Sequence, residues 1–366
     1  MANIFDYLIW RADVPFSVSP FNPVDNLVLS ELAYADLDGV VGEEEMTLTE
    51  VYERYFSLRD RKEVEERTTY TGHAPLLMDE MVKGARFRDM RLSRYESVTD
   101  TERDFQFAAI TFALPDDSIY VAYRGTDGTI VGWKEDFNLC YMKETEGQSM
   151  AVRYLDRVDA EEASCLRVGG HSKGGNLAAF AAAFCQKEIQ DRIEEIYSND
   201  GPGFLDEVIQ SEGYQKILPR IISIVPETSI IGVQLSSPAK KIVVDSSARG
   251  IAQHDGNTWL VERDHFVTAP QSETSLYVEQ VFGRWMGNMD EQERITFVDT
   301  IFSTLEATGV ERFSDIAGQK RKSIESIFQA IKDMPKEQQQ EFMHIMGSLL
   351  QTGGQTLWNK ISAIIS

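Results

Sequence analysis

The spacing of apolar residues divides the chain into three parts. Residues 24–35 and 48–58 carry apolar side chains at the three- and four-residue spacing of a helix. From about residue 104 to residue 285, short apolar runs typical of strands alternate with helical segments. Beyond about residue 288 only helical periodicity is present, with breaks near Gly309, Gly318, Pro335 and Gly353.

The middle part has the pattern of an α/β protein. Helical segments are predicted at 146–161, at 176–183 and around 205–213. The predicted strands are 105–112, 118–123, 164–170, 193–198, 221–225 and 241–244. Strands that alternate with helices form a mostly parallel central sheet flanked by helices. An α/β fold is therefore the predicted fold class.

Chain length sets the predicted domain organisation. The 366 residues accommodate one domain of about 250 residues together with an extension. We predict an α/β domain at 1–285, whose first part, about 1–100, is helical. Residues 286–366 are predicted to form an added C-terminal helical segment, which is a candidate for docking a protein partner.

The charge balance argues against a polyanionic partner. The chain has 36 basic and 59 acidic residues and a formal net charge of −23. This balance repels a phosphate backbone, so we expect no nucleic-acid partner. It also opposes electrostatic binding to an anionic lipid surface.

The cysteines and the apolar runs indicate the compartment. Cys140, Cys165 and Cys185 form neither a metal-ligand pattern nor an even-numbered disulfide framework. The first residues lack the features of a secretory signal, and no uncharged apolar run reaches the roughly 18 residues of a transmembrane helix. We expect a cytoplasmic protein without a transmembrane segment.

A candidate nucleophile lies in the segment Gly170–Gly174, which has the pattern Gly-x-Ser-x-Gly around Ser172. An apolar strand precedes the segment, and a helix rich in small residues follows it. This context is that of the nucleophile elbow in the α/β-hydrolase fold, a sharp strand-to-helix turn that presents a serine. The alternative is a glycine-rich turn without chemistry.

A serine nucleophile needs a base, and the base needs an orienting carboxylate. In this fold the chain order is serine, acid, histidine. His254 follows the last predicted strand and is the preferred base, with His265 as the alternative. The third downstream histidine, His344, lies in the helical tail and has a structural interpretation, and His171 precedes the nucleophile and is expected to point away from it.

Two residues are candidates for the acid. Asp200 follows the strand directly after the elbow helix, and Glu227 follows the next strand. Asp200 is preferred, although each could instead be a helix cap or a turn-former. Asp255 is adjacent to His254 and is expected to point elsewhere.

Two motifs carry a resemblance to a known family. Arg-Gly-Thr-Asp at 124–127 is followed by Trp133 and Asp136, and Gly-His-Ser-Lys-Gly-Gly-Asn-Leu-Ala stands at 170–178. Together they resemble the class 3 (fungal-type) lipases and, more closely, their bacterial relatives, the Mbeg1-like proteins. Supporting segments are 24–30, 199–204 and 253–255, so the resemblance spans roughly residues 20 to 270.

The resemblance implies roles for further residues. Thr126 corresponds to the hydroxyl residue of the oxyanion hole, and the Lys173 N–H would be the second donor. Lipases usually have leucine after the serine, so Lys173 is a departure that is expected to put a charge beside the site. Apart from the resemblance, Arg124 and Asp136 are expected to form a structural ion pair that fixes the loop.

These observations predict a serine hydrolase that cleaves an ester, thioester or related acyl bond through an acyl-enzyme. The expected substrate is a small-molecule or lipid acyl compound, and no metal or organic cofactor is expected. The alternative is a non-catalytic binding or scaffold protein of the same fold that uses its C-terminal helices to dock a partner.

Overall fold

A computed structural model describes residues 2–67, 69–158 and 163–306. The strands are β1 Met46–Thr47, β2 Arg91–Asp100, β3 Phe105–Ala113, β4 Ile119–Tyr123, β5 Leu166–His171, β6 Ile193–Asn199, β7 Ile221–Pro226, β8 Lys241–Val244, β9 Val261–Glu262 and β10 His265–Phe266. The helices are α1 Ile4–Arg11, α2 Pro23–Leu32, α3 Leu48–Leu58, α4 Arg61–Glu65, α5 Met78–Met81, α6 Ile130–Asn138, α7 Glu146–Leu155, α8 Lys173–Phe184, α9 Lys187–Arg192, α10 Asp206–Ile209, α11 Glu212–Ile217, α12 Glu273–Asn288 and α13 Glu291–Glu306. Within the described ranges, no helix combines the length and the apolar character needed to cross a membrane.

Strands β1 to β8 form one sheet in which each strand lies beside its neighbour in the chain. The pairs from β1 to β4 are antiparallel, and the four pairs from β4 to β8 are parallel. The six strands predicted from apolar runs correspond to β3 through β8. The predicted α/β-hydrolase fold class, a mostly parallel sheet flanked by helices, is confirmed.

The register of the parallel strands brings their carboxyl ends to one edge of the sheet. His171 at the end of β5 is paired with Asn199 at the end of β6. Pro226 at the end of β7 is paired with Val244 at the end of β8. The residues that follow these strands, among them Ser172, therefore emerge at the same edge.

Strand β2 differs from the sequence prediction, which described residues 1–100 as helical. Its register against β3 shifts between Ser93 and Glu96, and the intervening Arg94 has a φ of 56°. The extra residue of such a bulge puts Leu92 and Tyr95 in the same apolar cluster, although they are three residues apart. The bulge therefore removes the two-residue alternation by which a strand is recognised.

Two apolar clusters cover the two faces of the sheet. The consecutive residues Tyr120 and Val121 of β4 belong to different clusters, as the alternation of side chains in a strand requires. The first cluster includes residues of α1, α2 and α3, and the second includes residues of α7, α8 and α11. Both faces are thus buried, which explains the nearly continuous apolar runs of β4 and β7.

The last described helices pack on the α/β core. Val298 and Phe302 of α13 form an apolar cluster with Ile130 of α6. The predicted boundary at residue 285 falls inside α12, so this helix spans the predicted domain limit. Residues 307–366, which include His344 and most of the predicted C-terminal segment, lie outside the described residues.

Candidate active site

The predicted nucleophile elbow lies at the carboxyl end of β5. The strand ends at His171 and α8 begins at Lys173, so Ser172 is the only residue between them. Its backbone has a φ of 58° and a ψ of −133°. Such a conformation costs a non-glycine residue about 1–3 kcal/mol and is typical of functional sites.

The glycines of the motif are required by close backbone contacts. A Cβ atom on Gly174 would lie 2.0 Å from the carbonyl oxygen of Tyr123. A Cβ atom on Gly170 would lie 2.4 Å from the same oxygen and 2.4 Å from the carbonyl carbon of Gly174. The turn can therefore be this tight only with glycine at both positions.

The hydroxyl of Ser172 contacts an imidazole from a distant part of the chain. His254 Nε2 lies 3.0 Å from Ser172 Oγ, and His254 Nδ1 lies 2.6 Å from Asp200 Oδ2. Because a carboxylate only accepts hydrogen bonds, Nδ1 is the donor to Asp200, and Nε2 is left to accept from the serine. The structure thus brings together the preferred nucleophile, base and acid of the sequence analysis.

The second oxygen of Asp200 is fixed by the loop that follows β7. Ser229 Oγ donates to Asp200 Oδ1 at 2.5 Å, and the backbone N–H of Gly232 donates to the same oxygen at 3.1 Å. A Cβ atom on Gly232 would lie 2.4 Å from that oxygen, so glycine is needed for this approach. The fully buried carboxylate is therefore oriented by donors on both of its oxygens.

Asn199 is the last residue of β6 and precedes Asp200 in the chain. Its side chain links the end of β6 to the end of β5. It is fully buried, and its amide donates to the Gly170 carbonyl at 3.1 Å and to Ser30 Oγ at 3.2 Å. Asn26 of α2 also donates to Asn199 Oδ1 at 2.9 Å. These buried bonds fix the position from which Asp200 extends.

His171 supports the backbone of His254. Its Nε2 lies 2.7 Å from the carbonyl oxygen of His254, while its Nδ1 lies 3.2 Å from the Tyr34 hydroxyl. Burial, and second the neighbouring His254, lower the pKa of His171 well below its ordinary value. A neutral His171 therefore donates from Nε2 to the carbonyl oxygen, and its ring lies beside the ring of His254, with 4.7 Å between the two centroids.

The loop before α6 lies against Ser172. A Cβ atom on Gly125 would lie 3.0 Å from Ser172 Cβ. The next residue, Thr126, is buried, and its hydroxyl donates to Asp136 Oδ2 at 2.6 Å. This places Thr126 beside the elbow, and its side-chain hydrogen is engaged by Asp136 before substrate binds.

Asp136 is an unusual carboxyl group. Burial raises its pKa to about 6, although the nearby Lys173 charge and the Thr126 hydrogen bond lower it. The expected ion pair with Arg124 is not formed: Arg124 donates to the hydroxyls of Tyr95 and Ser97 at 3.5 and 3.4 Å. That prediction was wrong because the guanidinium is directed to β2, a strand that the sequence did not reveal.

The side chain of Lys173 is turned into the protein interior. Its Nζ donates to Glu135 Oε2 at 2.6 Å and to the Gln106 carbonyl at 3.0 Å, and both charged side chains are 1% exposed. The expectation of a charge beside the site is corrected accordingly, because Glu135 neutralises the ammonium in the core. Only the backbone of Lys173 belongs to the elbow.

The other residues considered for the acid and the base have hydrogen-bond partners outside the Ser172, His254 and Asp200 group. Glu227 Oε1 accepts a hydrogen bond of 3.4 Å from Gln253 Nε2. His265 lies in β10 with a mostly exposed side chain and has Asp264 at 3.2 Å. Asp255 accepts from the backbone N–H of Asn257 at 2.9 Å. Among the described residues, no group of three or more His, Cys, Asp or Glu side chains could hold a metal ion.

A mostly parallel sheet with a strained serine between β5 and α8, facing an imidazole and a carboxylate, defines an α/β-hydrolase-fold protein. The Mbeg1-like family matches residues 81–303, more than half of the 366 residues, and the chain belongs to this family. Among solved structures it is similar to the crystal structure of M37 lipase. The identity is 16%, the TM-score is 0.36, and the match covers 57% of this chain and 68% of the lipase chain. No curated protein matches the chain.

Proposed function

We propose that this protein is a serine hydrolase that cleaves an ester, thioester or related acyl bond through an acyl-enzyme. The observation that carries the proposal is the line of contacts from Ser172 Oγ through His254 to Asp200, with distances of 3.0 and 2.6 Å. A buried carboxylate, an imidazole and a strained serine in this order are the parts of a nucleophilic triad.

In the proposed reaction Ser172 Oγ attacks the acyl carbon while His254 Nε2 takes the hydroxyl proton. Asp200 keeps the proton on His254 Nδ1 and stabilises the imidazolium that forms. The tetrahedral intermediate expels the alcohol or thiol, which receives the proton from Nε2. Water then attacks the acyl-enzyme by the same route and releases the carboxylic acid and free Ser172.

The oxyanion is proposed to bind between the elbow and the loop before α6. The Lys173 N–H lies at the positive end of α8, where backbone donors are free of intrahelical partners. The N–H of Thr126 is the donor on the opposite side, and the Thr126 hydroxyl, which donates to Asp136 Oδ2 in the substrate-free structure, turns to the oxyanion when substrate binds. The two backbone N–H groups are already in place and can stabilise developing charge without reorganisation.

An uncharged acyl group is the substrate class that we favour. The Lys173 ammonium is paired with Glu135, so the residue after the nucleophile presents no free charge to the acyl chain. Small-molecule and lipid acyl compounds both meet this condition. A series of p-nitrophenyl esters of increasing chain length measures the preference directly.

A fluorophosphonate probe tests the triad itself. The wild-type protein is expected to be labelled, and Ser172→Ala is expected to lose labelling and ester hydrolysis together. Ser118→Ala is the matched control, because Ser118 is buried directly before β4, at the opposite edge of the sheet. A folded wild-type protein that neither reacts with the probe nor hydrolyses any ester would instead support a non-catalytic binding or scaffold role.

A further inference from the structure

The first turn of α12 contacts the loop that holds the acid, and that loop in turn contacts the loop that ends at the base. We name residues 227–232, which follow β7, the acid loop, and residues 249–254, which end at the catalytic imidazole, the base loop. Ser272 caps α12. Its backbone N–H donates to the Glu227 carbonyl at 2.8 Å, and its Oγ accepts from Thr228 Oγ1 at 3.0 Å.

One line of contacts runs from α12 to the acid. Ser275 Oγ donates to the Ser229 carbonyl at 2.8 Å, and Ser229 Oγ donates to Asp200 Oδ1 at 2.5 Å. Ser275 and Asp200 are fully buried and Ser229 is almost so. Since a buried polar group needs a partner, each of these hydrogen bonds limits where the next group can lie.

A second line runs from the same turn to the base. The Thr228 N–H donates to Gln253 Oε1 at 2.7 Å, and Gln253 precedes His254. The Gln253 carbonyl in turn accepts from Trp259 Nε1 at 2.8 Å. The side chain of Gln253 therefore links the base loop to the acid loop at Thr228, the residue whose hydroxyl also binds Ser272.

We infer that Ser229 and Ser275 are positioning residues for the proposed hydrolysis, and that the first turn of α12 sets Asp200 against His254. The inference rests on the proposed function. Helix α12 crosses the predicted domain limit, and its role in this inference is to hold the reacting groups in place. A shift of about 1 Å in such a support costs an enzyme on the order of a hundredfold in rate.

The test compares Ser229→Ala and Ser275→Ala with Ser118→Ala in the full-length protein. All three replace a nearly or fully buried serine by alanine, but Ser118 donates to Asp116 at 2.6 Å, far from the triad edge. For each variant, kcat and KM for a p-nitrophenyl ester, the rate of fluorophosphonate labelling and the thermal unfolding midpoint are measured. Ser229→Cys, whose thiol is a weak donor of similar size, serves if Ser229→Ala fails to fold.

Ser229→Ala is expected to lower kcat and the labelling rate about tenfold or more, and Ser275→Ala by a smaller factor, with KM within about twofold. Ser118→Ala is expected to keep its kcat. Equal kcat values in all folded variants, with only the unfolding midpoints lowered, would overturn the inference while leaving the proposed function intact. An inert wild-type protein would overturn both.

Discussion

Lys173 and Glu135 form an ion pair in the protein interior, with 2.6 Å between Nζ and Oε2 and both side chains 1% exposed. Glu135 also accepts from the backbone N–H groups of Gln106 and Gly147, at 3.0 and 2.8 Å. The pair therefore joins the first residue of the elbow helix to α6, β3 and the start of α7.

Replacing Lys173 by methionine is expected to lower the free energy of unfolding by about 3–5 kcal/mol, because it leaves the Glu135 carboxylate buried without its cation. The double variant Lys173→Met/Glu135→Gln contains no buried charge at this position and is expected to recover part of the loss. Denaturant unfolding of the three proteins measures both effects. A single variant within about 1 kcal/mol of the wild type would contradict the prediction.

Asp200→Asn is expected to lower kcat by about 10⁴-fold, the effect of removing the carboxylate that keeps the histidine in its reactive tautomer. Glu227→Gln is expected to change kcat less than about threefold, since the Glu227 carboxylate contacts Gln253. The two variants are compared in steady-state ester hydrolysis after circular dichroism has verified their folding. A larger loss in Glu227→Gln than in Asp200→Asn would reverse the assignment of the acid.

The strands and the elbow were predictable because their signals are local. Strands β4 and β7 are buried on both faces and are therefore nearly continuous apolar runs. The glycines around Ser172 are needed within the turn itself, so the sequence motif and the tight turn that requires it lie in the same five residues. His254 could be proposed because it follows β8 in the chain order that this fold requires.

The remaining features depend on partners that are distant in the sequence. Asp200 and Glu227 both follow parallel strands, and the choice between them depends on the hydroxyl of Ser229 and the N–H of Gly232. The direction of the Lys173 side chain depends on Glu135, on another helix. No periodicity in one segment encodes such a contact, which explains why the charge of Lys173 was misplaced.

Thr126→Val tests the proposed oxyanion hole. The change keeps the backbone N–H and the approximate size of the side chain but removes the hydroxyl, and kcat is expected to fall by about 10²–10³-fold with little change in KM. Thr126→Ser keeps the hydroxyl and is expected to retain most of the activity. If valine and serine at this position gave the same kcat, the hydroxyl of Thr126 would have no part in the reaction.

The carboxyl group of Asp136 is expected to make stability depend on pH. Burial raises its pKa from 3.8 to about 6, so between these pH values the folded protein keeps a proton that the unfolded chain has lost. The contribution of this group to the free energy of unfolding therefore falls as the pH rises from about 4 to 6. Asp136→Asn removes this titration and leaves an oxygen that can still accept from Thr126.

The free energy of unfolding of Asp136→Asn relative to wild type is accordingly expected to increase by up to about 3 kcal/mol between pH 4 and pH 7. Asp127→Asn is the control of opposite sign. Burial of Asp127 is outweighed by hydrogen bonds from Thr129, which lower its pKa, so its contribution is lost as the pH falls. Denaturant unfolding is followed from about pH 3 to pH 7, because the contribution of Asp127 changes only below about pH 4 and that of Asp136 between about pH 4 and 6. Parallel curves for Asp136→Asn and wild type would show that Asp136 has an ordinary pKa.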